Sequence, residues 1–187
     1  MKIPSKSTYV YIVTIIYMCA FFTSIYVSNM YVYHNNAKED IFLIGNILQN
    51  GSQNLTFMDI FLNNEMYLIK TYLGIITCGG YALILTIYNA SFFGFFVGAA
   101  FYERGLNYIL LHTIPHSFEL IPLILSAADS VYIGIYLFLN IVGKCKIRID
   151  YKEYIIKFIG YSIILFLAAI CEVYVSIGKW WKNILNI

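Results

Sequence analysis

Residues 112–122, HTIPHSFELIP, place three ionisable side chains in a segment that otherwise reads as hydrocarbon. His112, His116 and Glu119 fall at i, i+4 and i+7, which on an unbroken helix would line one face. Three chemistries fit that pattern. In the structural one, a helix starts near His116. Glu119 then sits in its first turn, beside unpaired N–H groups and the positive end of the dipole, with Thr113 or Ser117 as cap. In the second, the group carries protons or cations, as intramembrane ionisable residues often do. The third is a metal site, but Pro115 interrupts the helix that would align the ligands and there is no HExxH pattern. The sequence alone therefore assigns no metal and no cofactor.

Two more carboxylates lie in apolar surroundings. Asp129, in LSAADSVYIG, would cost ~2.5–3.5 kcal/mol if charged and alone at mid-membrane. It must be protonated, paired or wetted. No lysine or arginine is expected at its depth, which leaves Ser and Thr hydroxyls or Asn89. Glu172, near the outer end of the last apolar run, is expected to pair with His116, or else with His112. His112, His116, Glu119, Asp129, Glu172 and Asn89 thus form the expected polar intramembrane cluster. No GxSxG, no serine with a histidine at recognisable spacing and no paired aspartates occur, so no catalytic residues are assigned and an enzyme is not expected.

Ala90, Gly94 and Gly98 in NASFFGFFVGAA make a helix face without bulk, where another backbone can approach closely. Packing within the chain is the expected use, over an assembly or gating face. Asn89, at the head of that stripe, reads as a helix start.

The elements that must position these residues follow from composition. Of the 187 residues, 60% are hydrophobic and 12% charged, and mean hydropathy is +0.73. Soluble domains are about 45–50% apolar and about one quarter charged. Lipid is therefore the expected solvent. A net charge of +2 gives no footprint for nucleic acid. Cys19, Cys78, Cys145 and Cys171 form no CxxC pair and read as reduced, packed small residues.

A crossing helix needs about 20 apolar residues. The expected fold is an all-α polytopic bundle with about five spans, at 9–27, 70–88, 89–102, 116–142 and 154–177. An external loop covers 29–69, and a broken or re-entrant piece lies near Pro115. FMDIF, in that loop, reads as a short interfacial helix. The tail KWWKNILNI reads as an interface anchor. The N-terminus and the 143–157 loop hold seven of the twelve Lys and Arg, which places both in the cytoplasm and the C-terminus outside.

Four patches resemble the stage II sporulation protein M family of integral membrane proteins. FMDIFLNN resembles its segment before the second span. YNASFFGFFVG resembles its Asn-Gly-x-x-x-Gly element, with Ala90 in place of the first glycine. LLHTIPHSFELIPLILSAADSVYIG resembles its Pro-His-Gly…Glu-Leu-Pro signature, through Pro115, His116, Glu119 and Pro122. LAAICEVYVS resembles its closing Ala-x-x-x-Glu element and supplies Glu172. Ser117 stands where the family has glycine, Ile121 intervenes before Pro122, and Asp129 falls where a small residue is usual. The resemblance implies a non-enzymatic scaffold in a multiprotein membrane complex of the sporulation engulfment type. The alternative is a permease-like subunit of an export or bacteriocin-immunity system. Expected partners are the bilayer, other membrane proteins of the complex, a separate ABC-type ATPase for the permease alternative, and a second copy of the chain.

Overall fold

The computed structural model describes residues 4–35, 56–144 and 149–175, with the side chains at 102–105, 107–108, 110–112 and 114–115 outside the description. These residues form four α-helices and one 3₁₀ turn, and no strand. The helices are α1 (Lys6–Asn35), α2 (Phe57–Leu73), α3 (Gly80–Ile141) and α4 (Tyr151–Val175), with the 3₁₀ turn at Gly74–Thr77.

Helix α2 starts at a capping box. The Asp59 N–H donates to the Thr56 hydroxyl, and the Thr56 N–H donates to Asp59 Oδ2 at 2.8 Å, so two otherwise unpaired donors are satisfied. The Thr56 backbone bond, reinforced by its hydroxyl, holds the Asp59 carboxyl below the usual carboxylate range.

Helix α3 is 62 residues long, yet it does not run straight. The Tyr9 and Tyr132 rings lie 5.7 Å apart, and the Phe21 and Phe93 rings 5.6 Å apart. Along α1 those contacts are separated by ~18 Å, but along a straight α3 they would be ~58 Å apart. Phe93 also meets His116, with ring centroids at 5.6 Å. Helix α3 therefore doubles back before His116, into a first limb (Gly80–Phe101) and a second (His116–Ile141). The reversal expected between Glu103 and Pro115 is present, but helical hydrogen bonding continues through it.

The result is five antiparallel columns. Helix α1, the first limb and α4 run one way; α2 and the second limb run the other. Phe61 stacks edge-on against Phe166, and Tyr72 against Phe158, so α2 lies lengthwise along α4. Among the described residues, four segments are long and apolar enough to cross a membrane: Lys6–Tyr33, both limbs of α3, and Tyr151–Val173. The N-terminus and the start of α4 share one end of the bundle, where Lys6 Nζ lies 3.8 Å from Glu153.

Several expected boundaries are corrected. The chain does not reverse at Asn89, so spans 70–88 and 89–102 are not the second and third columns; those are α2 and the first limb. The reversal falls at 74–79, where Cys78 (φ 53°) and Gly79 (φ 87°) are left-handed. A Cβ on Gly79 would sit 2.4 Å from Val131 Cα, so only glycine allows this turn to press against the second limb. Apolar residues surround the turn, and hydropathy cannot see it. Of the 29–69 segment expected as a loop, residues 29–35 belong to α1 and residues 57–69 to α2. FMDIF opens α2, with Phe57 and Phe61 set edge-on against Phe166 of α4 and Met58 and Asp59 exposed. The tail KWWKNILNI lies outside the described residues.

Between the columns sit two apolar clusters. One joins Tyr9, Val13, Ala82, Ala127, Ala128 and Val131; the other joins Leu68, Leu123 and Leu165. Ile15, Phe22, Ile84, Ile159 and Leu167 instead face outward. An apolar exterior with a small-residue interior is what lipid solvation selects. Cys19, Cys78 and Cys171 are free, and they lie exposed rather than packed; Cys145 is outside the described residues.

Candidate functional site

The expected polar cluster separates into two. At the end of the bundle remote from the N-terminus, His116 begins the second limb and Glu119 follows one turn later. His116 Nδ1 lies 3.3 Å from Glu119 Oε2, and Nε2 lies 3.2 Å from Glu172 Oε1 on α4. The expected Glu172–His116 pair is thus present in the structure. Phe93, from the first limb, sets its ring edge-on against the imidazole. The Glu119 and Glu172 side chains are 8% and 14% exposed, whereas that of His116 is 36% exposed, so the site opens on the histidine side.

Each imidazole nitrogen faces a different carboxylate. The other oxygens, Glu119 Oε1 and Glu172 Oε2, are buried without a hydrogen-bond partner. One imidazole between two carboxylates can hold a proton or a cation, and it ties the second limb to α4. The local chain explains the arrangement. Thr113 and Ser117 turn their hydroxyls back onto Ile109 O and Thr113 O, as mid-helix hydroxyls do, and so neither caps a helix start here. The side chain of His112 lies outside the described residues.

Asp129 lies at the other end of the bundle. It is fully buried, and Lys6 Nζ reaches its Oδ1 at 2.5 Å. The Tyr161 hydroxyl donates to Oδ2 at 3.0 Å. The expectation that no cation would match its depth is therefore overturned. Lys6 opens α1 rather than preceding it, and its long stem brings the ammonium down to the carboxylate. Lys6 also sits over the Tyr154 ring, 4.8 Å from the centroid, as does Lys157 at 4.9 Å. Glu153 pairs with Lys157. This second cluster joins α1, α3 and α4.

Asn89 is half-buried inside the unbroken first limb, one turn before Phe93, and so is not a helix start. Ala90, Gly94 and Gly98 are buried against α1. A Cβ on Gly94 would lie 2.4 Å from Phe21 O, and one on Gly98 would lie 2.9 Å from Ile25 O. The small-residue face is therefore spent inside the chain.

Sequence reasoning missed Lys6, Tyr161 and Glu65. Glu65 was assigned to the external loop, but the Ser162 hydroxyl donates to its Oε1 at 2.8 Å, linking α2 to α4. A signal was available: Leu68 lies three residues after Glu65 and is fully buried, and Phe61, Leu68 and Tyr72 recur at helical spacing.

The family model for Stage II sporulation protein M matches residues 8–177. No curated protein and no solved structure matches the chain. The match runs from the first turn of α1 through α4 and takes in both clusters except Lys6, and the chain belongs to the Stage II sporulation protein M family.

Proposed function

We propose that this member of the Stage II sporulation protein M family is a non-enzymatic scaffold within a multiprotein membrane complex. One observation carries the reading: His116, Glu119 and Glu172 group at one end of the bundle and Asp129 with Lys6 at the other, in two separate clusters and not along one path. Between them the second limb presents Leu123, Ser126, Ala127 and Ala128, all buried, and the Ser126 hydroxyl is turned back onto Leu123 O. Each cluster joins columns to one another, as a fixed frame requires. A permease needs polar groups that continue from one face to the other.

The frame offers partners two regions. One is the segment between α1 and α2. The other is α4, which packs on α2 and α3 while Ile155, Ile156, Ile159 and Ile163 face outward. In this reading the N-terminus and the lysine-rich 143–157 segment are cytoplasmic, and the 36–55 segment and C-terminus are external.

Crosslinking in native membranes tests the proposal, with photoreactive residues at Ile159 and Ile163. Discrete membrane-protein adducts are expected, together with no ion or peptide flux from vesicles holding the purified chain. Flux that Asp129→Asn or Glu119→Gln abolishes in a still-folded protein would replace the scaffold with the permease.

A further inference from the structure

We propose that His116, Glu119 and Glu172 form a binding site for one divalent transition-metal ion of the zinc type. One ligand atom from each residue can be chosen so that all three lie within 4.8 Å of one another. Bonds of ~2.0–2.2 Å in a tetrahedral arrangement need ligand atoms ~3.3 Å apart. Rotation of the two glutamate side chains has to close a remaining gap of up to ~1.5 Å.

Charge and unmet bonding favour an ion. Two ionised carboxylates around a neutral imidazole carry two negative charges, and a divalent cation cancels both where the carboxylates are largely withdrawn from solvent. A single proton on the histidine leaves one negative charge over. Glu119 is 6% exposed as a residue, and its Oε1 has no hydrogen-bond partner. The second Glu172 oxygen, Oε2, is likewise buried and unpaired. A buried carboxylate oxygen with no donor costs free energy unless something binds it.

Donor chemistry sets the metal class. Imidazole suits zinc, iron, nickel and copper, whereas a nitrogen ligand disfavours magnesium and calcium, which prefer all-oxygen shells. Three protein ligands leave a fourth position open. A water molecule or a side chain from a partner would reach it from the side where the imidazole is exposed. The ion would fasten the second limb to α4 at the bundle end opposite Lys6–Asp129. This inference does not depend on the scaffold reading, since a permease could hold the same ion.

The test uses the full chain in detergent micelles, without a histidine tag, stripped with chelator and then equilibrated with Zn²⁺ alone. One zinc per chain is expected, with an upward shift in thermal midpoint as zinc is added. Co²⁺ in its place should give the visible absorption of a low-coordinate nitrogen–oxygen site. Glu172→Gln and His116→Ala should each weaken zinc binding by at least ~10-fold, since loss even of outer partners has that effect. Glu172→His supplies another ligand and should retain binding. Substoichiometric zinc on the folded wild-type chain would overturn the site. So would zinc binding that is equal in the wild type and in the folded Glu119→Gln/Glu172→Gln double variant. If the variants do not fold, stoichiometry and the Co²⁺ spectrum of the wild type decide the matter alone.

Discussion

Gly94→Ala adds one methyl group at the closest approach of α1 to α3. That methyl would lie 2.4 Å from Phe21 O and 3.1 Å from the Phe21 carbonyl carbon and Cα, while ordinary contact begins at 3.4 Å. The obstacle is backbone, so no side chain can swing away, and the two columns must part by about 1 Å. Overpacking of this kind costs ~1–3 kcal/mol. Alanine in place of helical glycine returns ~0.5–1 kcal/mol, leaving a net loss of ~1–2 kcal/mol. The control is Gly160→Ala on α4, where a Cβ meets nothing within 4 Å and only the favourable part remains. Unfolding of both variants in detergent micelles should therefore move stability in opposite directions. Equal shifts of one sign would refute the close packing of α1 on the first limb.

Breaking the buried pair by Lys6→Ala should cost ~3 kcal/mol, the low end for such pairs because Lys6 is partly exposed, while Lys6→Met with Asp129→Leu should recover most of the loss; a double-mutant unfolding cycle measures this, and strict additivity would contradict the pairing. Gly79→Ala combines a positive φ with a Cβ 2.4 Å from Val131 Cα, and should destabilise by more than ~1 kcal/mol in the same unfolding assay, whereas Cys78→Gly should be neutral or stabilising. The Asp59 carboxyl is held below its ordinary range, so its contribution to the start of α2 is present above the unfolded-state pKa and lost as pH falls through the folded one. Protection factors at Asp59 and Ile60, taken relative to the intrinsic exchange rate at each pH, should fall at acid pH, and should already be lower at neutral pH in Thr56→Ala.

The bilayer as solvent was legible from composition, and so were the second limb, α4 and the Glu172–His116 pair. Apolar run length reports crossings well because lipid demands it. What run length misses is where an apolar run reverses. The turn at 74–79 contains Ile75, Ile76 and Cys78, which score as hydrocarbon, and its mark in the sequence is the short Gly79-Gly80 pair, which hydropathy does not register. Helix α2 was missed for the opposite reason. Its Asp59, Asn63, Asn64, Glu65 and Lys70 resemble loop, but enough apolar residues recur at helical spacing to bury Leu68. Lys6 stands in the sequence only as a charge ahead of the first apolar run, because reach along a side chain does not show in sequence position. Gly94 and Gly98 were read correctly as a packing face, since close approach of backbones leaves a compositional trace that a turn does not.

The five-column arrangement rests on α3 doubling back, and paired crosslinking tests that most directly. In a cysteine-free chain carrying Tyr9→Cys with Tyr132→Cys, and separately Phe21→Cys with Phe93→Cys, a short bifunctional maleimide should join each pair within one monomer in native membranes. A straight α3 could satisfy one pair but not both. Efficient coupling at one pair with none at the other, in chains equally inserted, would contradict the fold.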